Sequence, residues 1–334
     1  MLTRRELIGF AAAIGVGFGL VGAPASAATT WDYYAFTGVT HPITVFLKGF
    51  AEEVEKRTDG ELKIVVRPAG ELPFRATESV KATGQGLVQM GSAYAGFISG
   101  TLPRAAISGH PFLVRTYDDL AKVWPIMRRN TEKDFEKLGV KVLFYFSWPG
   151  QNIFGVGEPI RSLEDFAGRK LRTTDSKQAE MLSRLGASSV TLTTAEVPVA
   201  MERGLMEGML TAAFNLVGAK WYEFVKWAWM GEIHIGGPNY ELVNLQAYNA
   251  LDPKVRATLD RVAAEWQDKM LKEVAAMEQA AREEIVAKYG IELVQPSPVQ
   301  LDALVAKMVP YWEEWAEKND ATAMMQEVRT TLGK

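Results

Sequence analysis

From Asp252-Pro253 to Tyr289 the chain carries a helical pattern that no further Pro and no Gly interrupts, and Gly290 ends it. Asp at an N-cap followed by Pro in the first turn is a start signal. At 1.5 Å per residue a single helix here would be roughly 55 Å long, more than a small domain can cover. Two helices separated by a break that leaves no mark in the sequence would also fit. The chain has 334 residues, 48% of them hydrophobic and 23% charged, so there is room for two domains.

Ahead of that segment, strand and helix signals alternate. Trp31 to Phe36 reads as an aromatic strand. Pro42 opens a helix whose Ile43, Phe46, Leu47, Phe50, Ala51 and Val54 form one apolar face, with Glu52, Glu53, Glu55, Lys56 and Arg57 outside. Leu62 to Val66 reads as a strand, Arg75 to Thr83 as a helix and Leu87 to Ala93 as a strand. This order implies a parallel sheet with right-handed crossovers. Asp118 to Leu138 is a helix with Leu120, Val123 and Trp124 inward, which Pro125 kinks or splits. Val140 to Phe146 is an apolar strand. A second lobe starts near Trp148 and ends around Ile235, and Glu241 to Tyr248 returns as a strand to the first. Trp221, Trp227 and Trp229 have the spacing of helix packing residues. Ser297 to Leu332 adds helices with Tyr311, Trp312 and Trp315 packed.

Within the second lobe, Ser162 with Asp165 reads as a capped first turn that Gly168 stops. Lys170 to Thr173 is a short strand, and Met181, Leu182 and Leu185 recur at helical spacing up to Gly186. Arg172 thus falls where a strand ends and a helix begins, the edge at which open α/β sheets bind ligands. Taken alone, a surface salt bridge is the commoner role for such an arginine.

The remaining chemistry is sparse. A net charge of -3 without a basic block disfavours nucleic acid, and with no cysteine there are no disulfides, thiolate nucleophiles or zinc-cysteine sites. The three histidines, His41, His110 and His234, have no metal-spaced partner, and no GxSxG elbow is present. No metal, cofactor or catalytic residue is expected. The acidic pairs Glu52-Glu53, Glu283-Glu284 and Glu313-Glu314 read as solvated helix faces. Arg4-Arg5, an apolar run from Leu7 to about Val21, and Ala25-Ser26-Ala27 make a signal peptide cleaved near Ala27, hence a periplasmic protein. Thr3-Arg4-Arg5 hints at twin-arginine export, but the rest of that pattern is loose and plain export is favoured. Gly17 to Gly22 matches GxGxxG but follows no strand, so it reads as signal-peptide glycine.

Several of these motifs resemble the DctP-type substrate-binding proteins of TRAP transporters. The residues that carry the resemblance are Gly168-Arg169-Lys170-Leu171-Arg172, Leu185-Gly186-Ala187, Glu196-Val197 and Arg203 to Gly208. Gly60 to Ile64 with Pro68 to Leu72 looks like the family's first hairpin region, and Gly109 to Leu113 is similar too. The resemblance implies a two-lobed periplasmic binding protein of α/β class, with two mixed sheets flanked by helices, hinge strands and a long domain-bridging helix. It divides the chain into residues 28–147 plus 240–255, residues 148–239 plus 290–334 with the last helices on either lobe, and a bridging helix over 252–289. It implies no enzymatic activity. The expected partners are a small carboxylate and the TRAP membrane permease, with the protein a monomer or weak dimer.

By the same resemblance Arg172 grips the carboxylate of a small organic acid. Asn152 stands where many members have a second arginine, and Thr211 where sialic-acid binders have asparagine. Phe36, Phe74 and Tyr94 stand where sugar-acid binders use polar or acidic groups. Trp148, Gln151, Phe214 and Asn215 are within reach of the same pocket. The clamp is retained and its surroundings are more aromatic, which points to a ligand with one carboxylate and an apolar or aromatic body. A periplasmic enzyme acting on such an acid and a ligand sensor are the rival readings.

Overall fold

Strand-forming residues in the first half fold into β1 (Thr29–Tyr34), β2 (Leu62–Arg67), β3 (Met90–Tyr94) and β4 (Val140–Ser147). The structure, a computed structural model, describes residues 28–334, so the expected signal peptide and the GxGxxG match lie outside the described residues. A second set follows: β5 (Gln151–Gly155), β6 (Lys170–Thr173), β7 (Ser188–Thr191), β8 (Gly208–Thr211) and β9 (Trp227–His234). β10 (Pro238–Asn244) returns to the first sheet, in the order β2-β1-β3-β10-β4. β11 (Glu292–Val294) completes the second, in the order β11-β9-β5-β8-β6-β7. Both sheets are mixed: β10 runs antiparallel to β3 and β4, and β5 antiparallel to β8 and β9.

The helix Pro42–Arg57 buries all six residues of the expected apolar face. Three expectations shift in their bounds. Residues 75–83 form a short 3-10 turn, Ala76–Glu78, and the helix Ser79–Gly84, and the strand after them starts at Met90, leaving Leu87 exposed. The strand expected over 241–248 ends at Asn244, whose side chain caps the helix Leu245–Ala250 by accepting from the Ala247 amide at 2.8 Å. Pro125 neither ends nor splits its helix, which runs from Tyr117 to Lys137. Its ring lies on the exposed face, while Leu120, Val123, Ile126 and Met127 are buried on both sides of it and hold the helix together. Trp124 is half-buried and stacks on Tyr145, with ring centroids 3.5 Å apart.

Other expectations are overturned. The segment from Gly60 to Leu72 makes no hairpin, because β2 pairs in parallel with β1 across the intervening helix. Trp227 and Trp229 lie on β9, two residues apart and so on one face of a strand, and Trp221 sits in a 3-10 turn. Ser162 does not cap its turn. The Asp165 carboxylate does the capping in reverse, accepting from the amides of Arg161 and Ser162 at 2.9 and 2.8 Å.

Two strand-to-strand passages join the sheets. β4 leads through Trp148-Pro149-Gly150 into β5, and β9 through Ile235-Gly236-Gly237 into β10. The two passages run side by side: Ser147 pairs with Pro238, Gln151 pairs with His234, and the Gly236 amide donates to the Trp148 carbonyl at 3.0 Å. A side chain at 236 would stand 2.2 Å from Trp148 Cβ, so only glycine permits this approach. The third link is the 35-residue helix Pro253–Ala287, about 52 Å long and unbroken, which removes the two-helix alternative. Asp252 caps it by accepting from the Lys254 amide. Trp266 packs edge-on against Phe46 and Phe50 near the first sheet, and further along Glu278 accepts from the Phe214 amide beside the second. The final helices, Pro298–Lys318 and Thr322–Leu332, touch both halves. Trp312 Nε1 donates to the Pro111 carbonyl, and Glu314 pairs with Arg184.

Candidate ligand-binding site

Between the two sheets lies a small, partly open cavity. Phe36, Tyr94 and Phe97 line it from the first sheet's side, and Trp148 and Gln151 from the strand passage between the sheets. Arg172, Thr174, Thr194, Thr211 and Asn215 line it from the second sheet's side.

Arg172 is 2% exposed, on β6 just ahead of the helix Ser176–Arg184. Nε and Nη2 donate to the Leu192 carbonyl at 2.9 and 2.7 Å, and Nη1 donates to the Leu210 carbonyl at 3.0 Å. A guanidinium has five N–H donors. One on each terminal nitrogen is therefore left without a partner among the described residues, and no carboxylate pairs with the group there. Burial pulls its pKa down to about 10, opposed at neutral pH by the negative charges of Asp175 and Glu196, so it stays cationic. A surface salt bridge is the wrong description of it. Here a buried cation, anchored by backbone carbonyls, presents two parallel donors, the fork that fits one carboxylate.

The aromatic wall is held just as firmly. Trp148 Nε1 donates to Asn239 Oδ1 at 3.0 Å, and Asn239 Nδ2 donates to Ser92 Oγ and to Glu241 Oε1. Glu241 also accepts from the Tyr33 hydroxyl. Burial raises the Glu241 carboxyl to about 8, against the pull of these hydrogen bonds. Tyr94 stacks edge-on with Phe97, and its phenol is pushed up by burial, with the charge of Asp175 adding to the effect. It remains a neutral hydroxyl at physiological pH. Behind Thr174 lies a buried ion pair, Lys177 Nζ to Asp175 Oδ2 at 3.5 Å.

Three residues expected in the pocket are elsewhere. Asn152 Oδ1 accepts from the Glu232 amide at 2.8 Å and its Nδ2 donates to the Gly150 carbonyl, which commits the side chain to the strand passage. Phe74 packs on Tyr34, and Phe214 stands behind Trp148 with ring centroids 6.0 Å apart. Phe97, Thr174 and Thr194 were missed. Thr174 lies two residues beyond Arg172 at the same strand end, which was a usable signal; Phe97 sits in a turn and Thr194 opens the 3-10 turn Thr194–Glu196, with no such signal.

The model for "Bacterial extracellular solute-binding protein, family 7" (DctP) matches residues 35–319. The chain belongs to this family. The sialic acid-binding periplasmic protein SiaP of Vibrio cholerae is 28% identical over 191 residues, 54% of this chain and 56% of SiaP. Among solved structures, DctP7 of Bordetella pertussis, an extracytoplasmic solute receptor binding pyroglutamic acid, has a TM-score of 0.85 at 24% identity and covers 92% of this chain and 100% of its own. A TRAP periplasmic solute-binding protein of Chromohalobacter salexigens with bound D-glucuronate has a TM-score of 0.83 at 18% identity, covering 90% and 99%. These DctP relatives are solute receptors and not enzymes, and the family works outside the cytoplasm. No helix among the described residues of this DctP chain is long and apolar enough to cross a membrane.

Proposed function

We propose that the protein captures a small organic acid with a single carboxylate and an apolar or cyclic body, and delivers it to a TRAP-type membrane permease. The observation that carries this reading is the pair of unpartnered N–H groups on a buried Arg172, facing a cavity whose opposite wall is Phe36, Tyr94, Phe97 and Trp148. Rings bury apolar area, while the threonine hydroxyls, Gln151 and Asn215 supply the few polar groups that fix orientation. The cavity is small, which suits a compact acid over a long sugar acid. Pyroglutamate, which the Bordetella protein binds, is a compact ring acid with a single carboxylate.

In this reading residues 28–147 with 240–255 and residues 148–239 with 290–334 are the two lobes, 252–289 bridges them, and export removes residues 1–27. Ligand bridging Arg172 and the aromatic wall favours the closed state by differential contacts. The test is native mass spectrometry of the purified protein, followed by calorimetry with a panel of monocarboxylates, dicarboxylates and sugar acids. A compact monocarboxylate should bind best. Arg172→Ala should lose roughly 2–5 kcal/mol, thirtyfold or more in affinity, with an unchanged circular dichroism spectrum. Tight binding retained by that variant, or a response to sugar acids alone, overturns the proposal.

A further inference from the structure

We infer that His41, which lies outside the cavity lining, is a positioning residue for the ligand site: it ties the two lobes together through Asn215 and fixes the Thr211 hydroxyl as a hydrogen-bond donor into the cavity. The inference rests on reading that cavity as a carboxylate site. It follows from the order of donors and acceptors along three hydrogen bonds.

His41 is the N-cap of the helix Pro42–Arg57, on the first lobe, and its Nδ1 accepts from the Ile43 amide at 3.2 Å. An amide can only donate, so a neutral imidazole there carries its proton on Nε2. Nε2 lies 3.2 Å from Asn215 Oδ1, on the second lobe's helix Ala213–Gly218, and therefore donates to it. That fixes the amide: Asn215 turns its Nδ2 toward Thr211 and donates to Oγ1 at 3.0 Å. The opposite amide orientation would set two N–H groups against each other at His41. Thr211 Oγ1 is thus an acceptor on its inner side. No acceptor among the described residues takes its own proton, and Thr211 stands in the cavity wall at the end of β8. The relay runs in one direction, from a backbone amide of one lobe to a hydroxyl aimed at the ligand from the other.

The seat of His41 is built for this. The imidazole is 3% exposed, between the rings of Trp148 and Phe214 at 5.9 and 5.7 Å. A side chain at Gly218 would stand 2.9 Å from Nε2 and 3.1 Å from Pro42 Cδ, so the close approach of the two helices depends on that glycine. Next to Thr211, the Leu210 carbonyl anchors Nη1 of Arg172. The relay and the arginine fork therefore converge on the same strand end, and together they offer a carboxylate its two guanidinium N–H groups and one hydroxyl.

Two substitutions separate the roles of the ring. His41→Asn keeps a short side-chain acceptor for the Ile43 amide, as good N-caps do, but cannot reach Asn215. His41→Gln places an N–H near the position of Nε2. With pyroglutamate as the probe in calorimetry, His41→Asn should weaken binding at least tenfold, His41→Gln should bind within about threefold of the unaltered protein, and all three should melt within a few degrees of each other. In addition, nitrogen NMR of histidine-labelled protein without ligand should show His41 protonated on Nε2 at neutral pH. Equal affinity in the Asn and Gln variants, or a proton on Nδ1, overturns the inference. If the unaltered protein ignores pyroglutamate, the proposed ligand class is what fails, and the NMR tautomer alone then decides for or against the relay.

Discussion

At the scale of single residues, the site depends on groups buried against the usual preference of their chemistry. A guanidinium with 2% exposure and no carboxylate paired with it among the described residues is costly to desolvate, and the backbone carbonyls of Leu192 and Leu210 offset only part of that cost. On the proposed reading an incoming carboxylate supplies the rest, so affinity and charge burial would be one quantity here. Lysine cannot offer two parallel donors. Arg172→Lys is accordingly expected to weaken ligand binding by ten- to a hundredfold while the melting temperature holds, as read by calorimetry and circular dichroism. Glu241 gives a pH signature of its own. Its carboxyl is raised to about 8 in the folded protein, so folding takes up a proton between the ordinary glutamate value and 8. The stability it contributes is full below about 4.5 and declines as pH rises through 8, by up to about 1.4 kcal/mol per unit. Melting curves of Glu241→Gln between pH 6.5 and 8 should be flatter than those of the unaltered protein. A parallel decline in both would remove Glu241 as the cause.

At the scale of elements, links between the lobes differ in what they contribute, and their burial ranks them. Arg75 pairs with Glu196 at the surface, where the arginine side chain is 66% exposed, and such a pair contributes at most about 1 kcal/mol. Arg75→Ala should therefore change ligand affinity less than fivefold, and the loss should shrink with added salt. Gly236 is a different matter, because a methyl group there meets Trp148 Cβ and the Pro149 carbonyl, neither of which can swing aside. Overpacking of this kind costs about 1–3 kcal/mol. Gly236→Ala should lower the melting temperature by several degrees and weaken binding together, and an unchanged melt would mean that the passage gives way.

The same scale shows what the sequence made legible. The apolar face from Ile43 to Val54, the strand at Lys170 to Thr173 and the uninterrupted helix after Asp252 were readable because each is a local periodicity with its own start or stop signal. Trp227 and Trp229 were misread although residues two apart stand on opposite sides of a helix and on one face of a strand; that spacing was the strand signal, and pairing with β5 realises it. The cavity was half legible. Arg172, Tyr94 and Trp148 line it, whereas Asn152, expected beside them, is drawn away by the Glu232 amide, a partner 80 residues distant. His41 gave no signal at all, since its meaning lies in Asn215, which belongs to the other lobe.

At the scale of the whole molecule, all three histidines of the chain are buried: His41 at the start of a helix, His110 against Trp315, and His234 at the end of β9. Burial lowers each of their pKa values, to about 4 for His41. A histidine depressed in the folded state contributes stability that is present above about 6.5 and lost as pH falls below it. Three such groups outweigh the two carboxyls that burial raises, Glu241 and Glu278, over pH 5 to 6.5, and above that range these carboxyls act without opposition from the histidines. The melting temperature should therefore peak near pH 6.5 and fall on both sides, more steeply on the acid side; a profile that keeps rising toward pH 5 would contradict this balance. The paired passages from β4 to β5 and from β9 to β10 carry a mechanical consequence as well. Two hydrogen-bonded strands shared by both sheets form a ribbon that is soft in bending and twisting but stiff in stretch and shear. If the lobes close as proposed, the gap would swing wide or shut while its jaws could not slide past one another, so the guanidinium and the rings would return to the same alignment every cycle. On the proposed closure, a molecule one carbon too long would be turned away by incomplete shutting, not by any single repulsive contact.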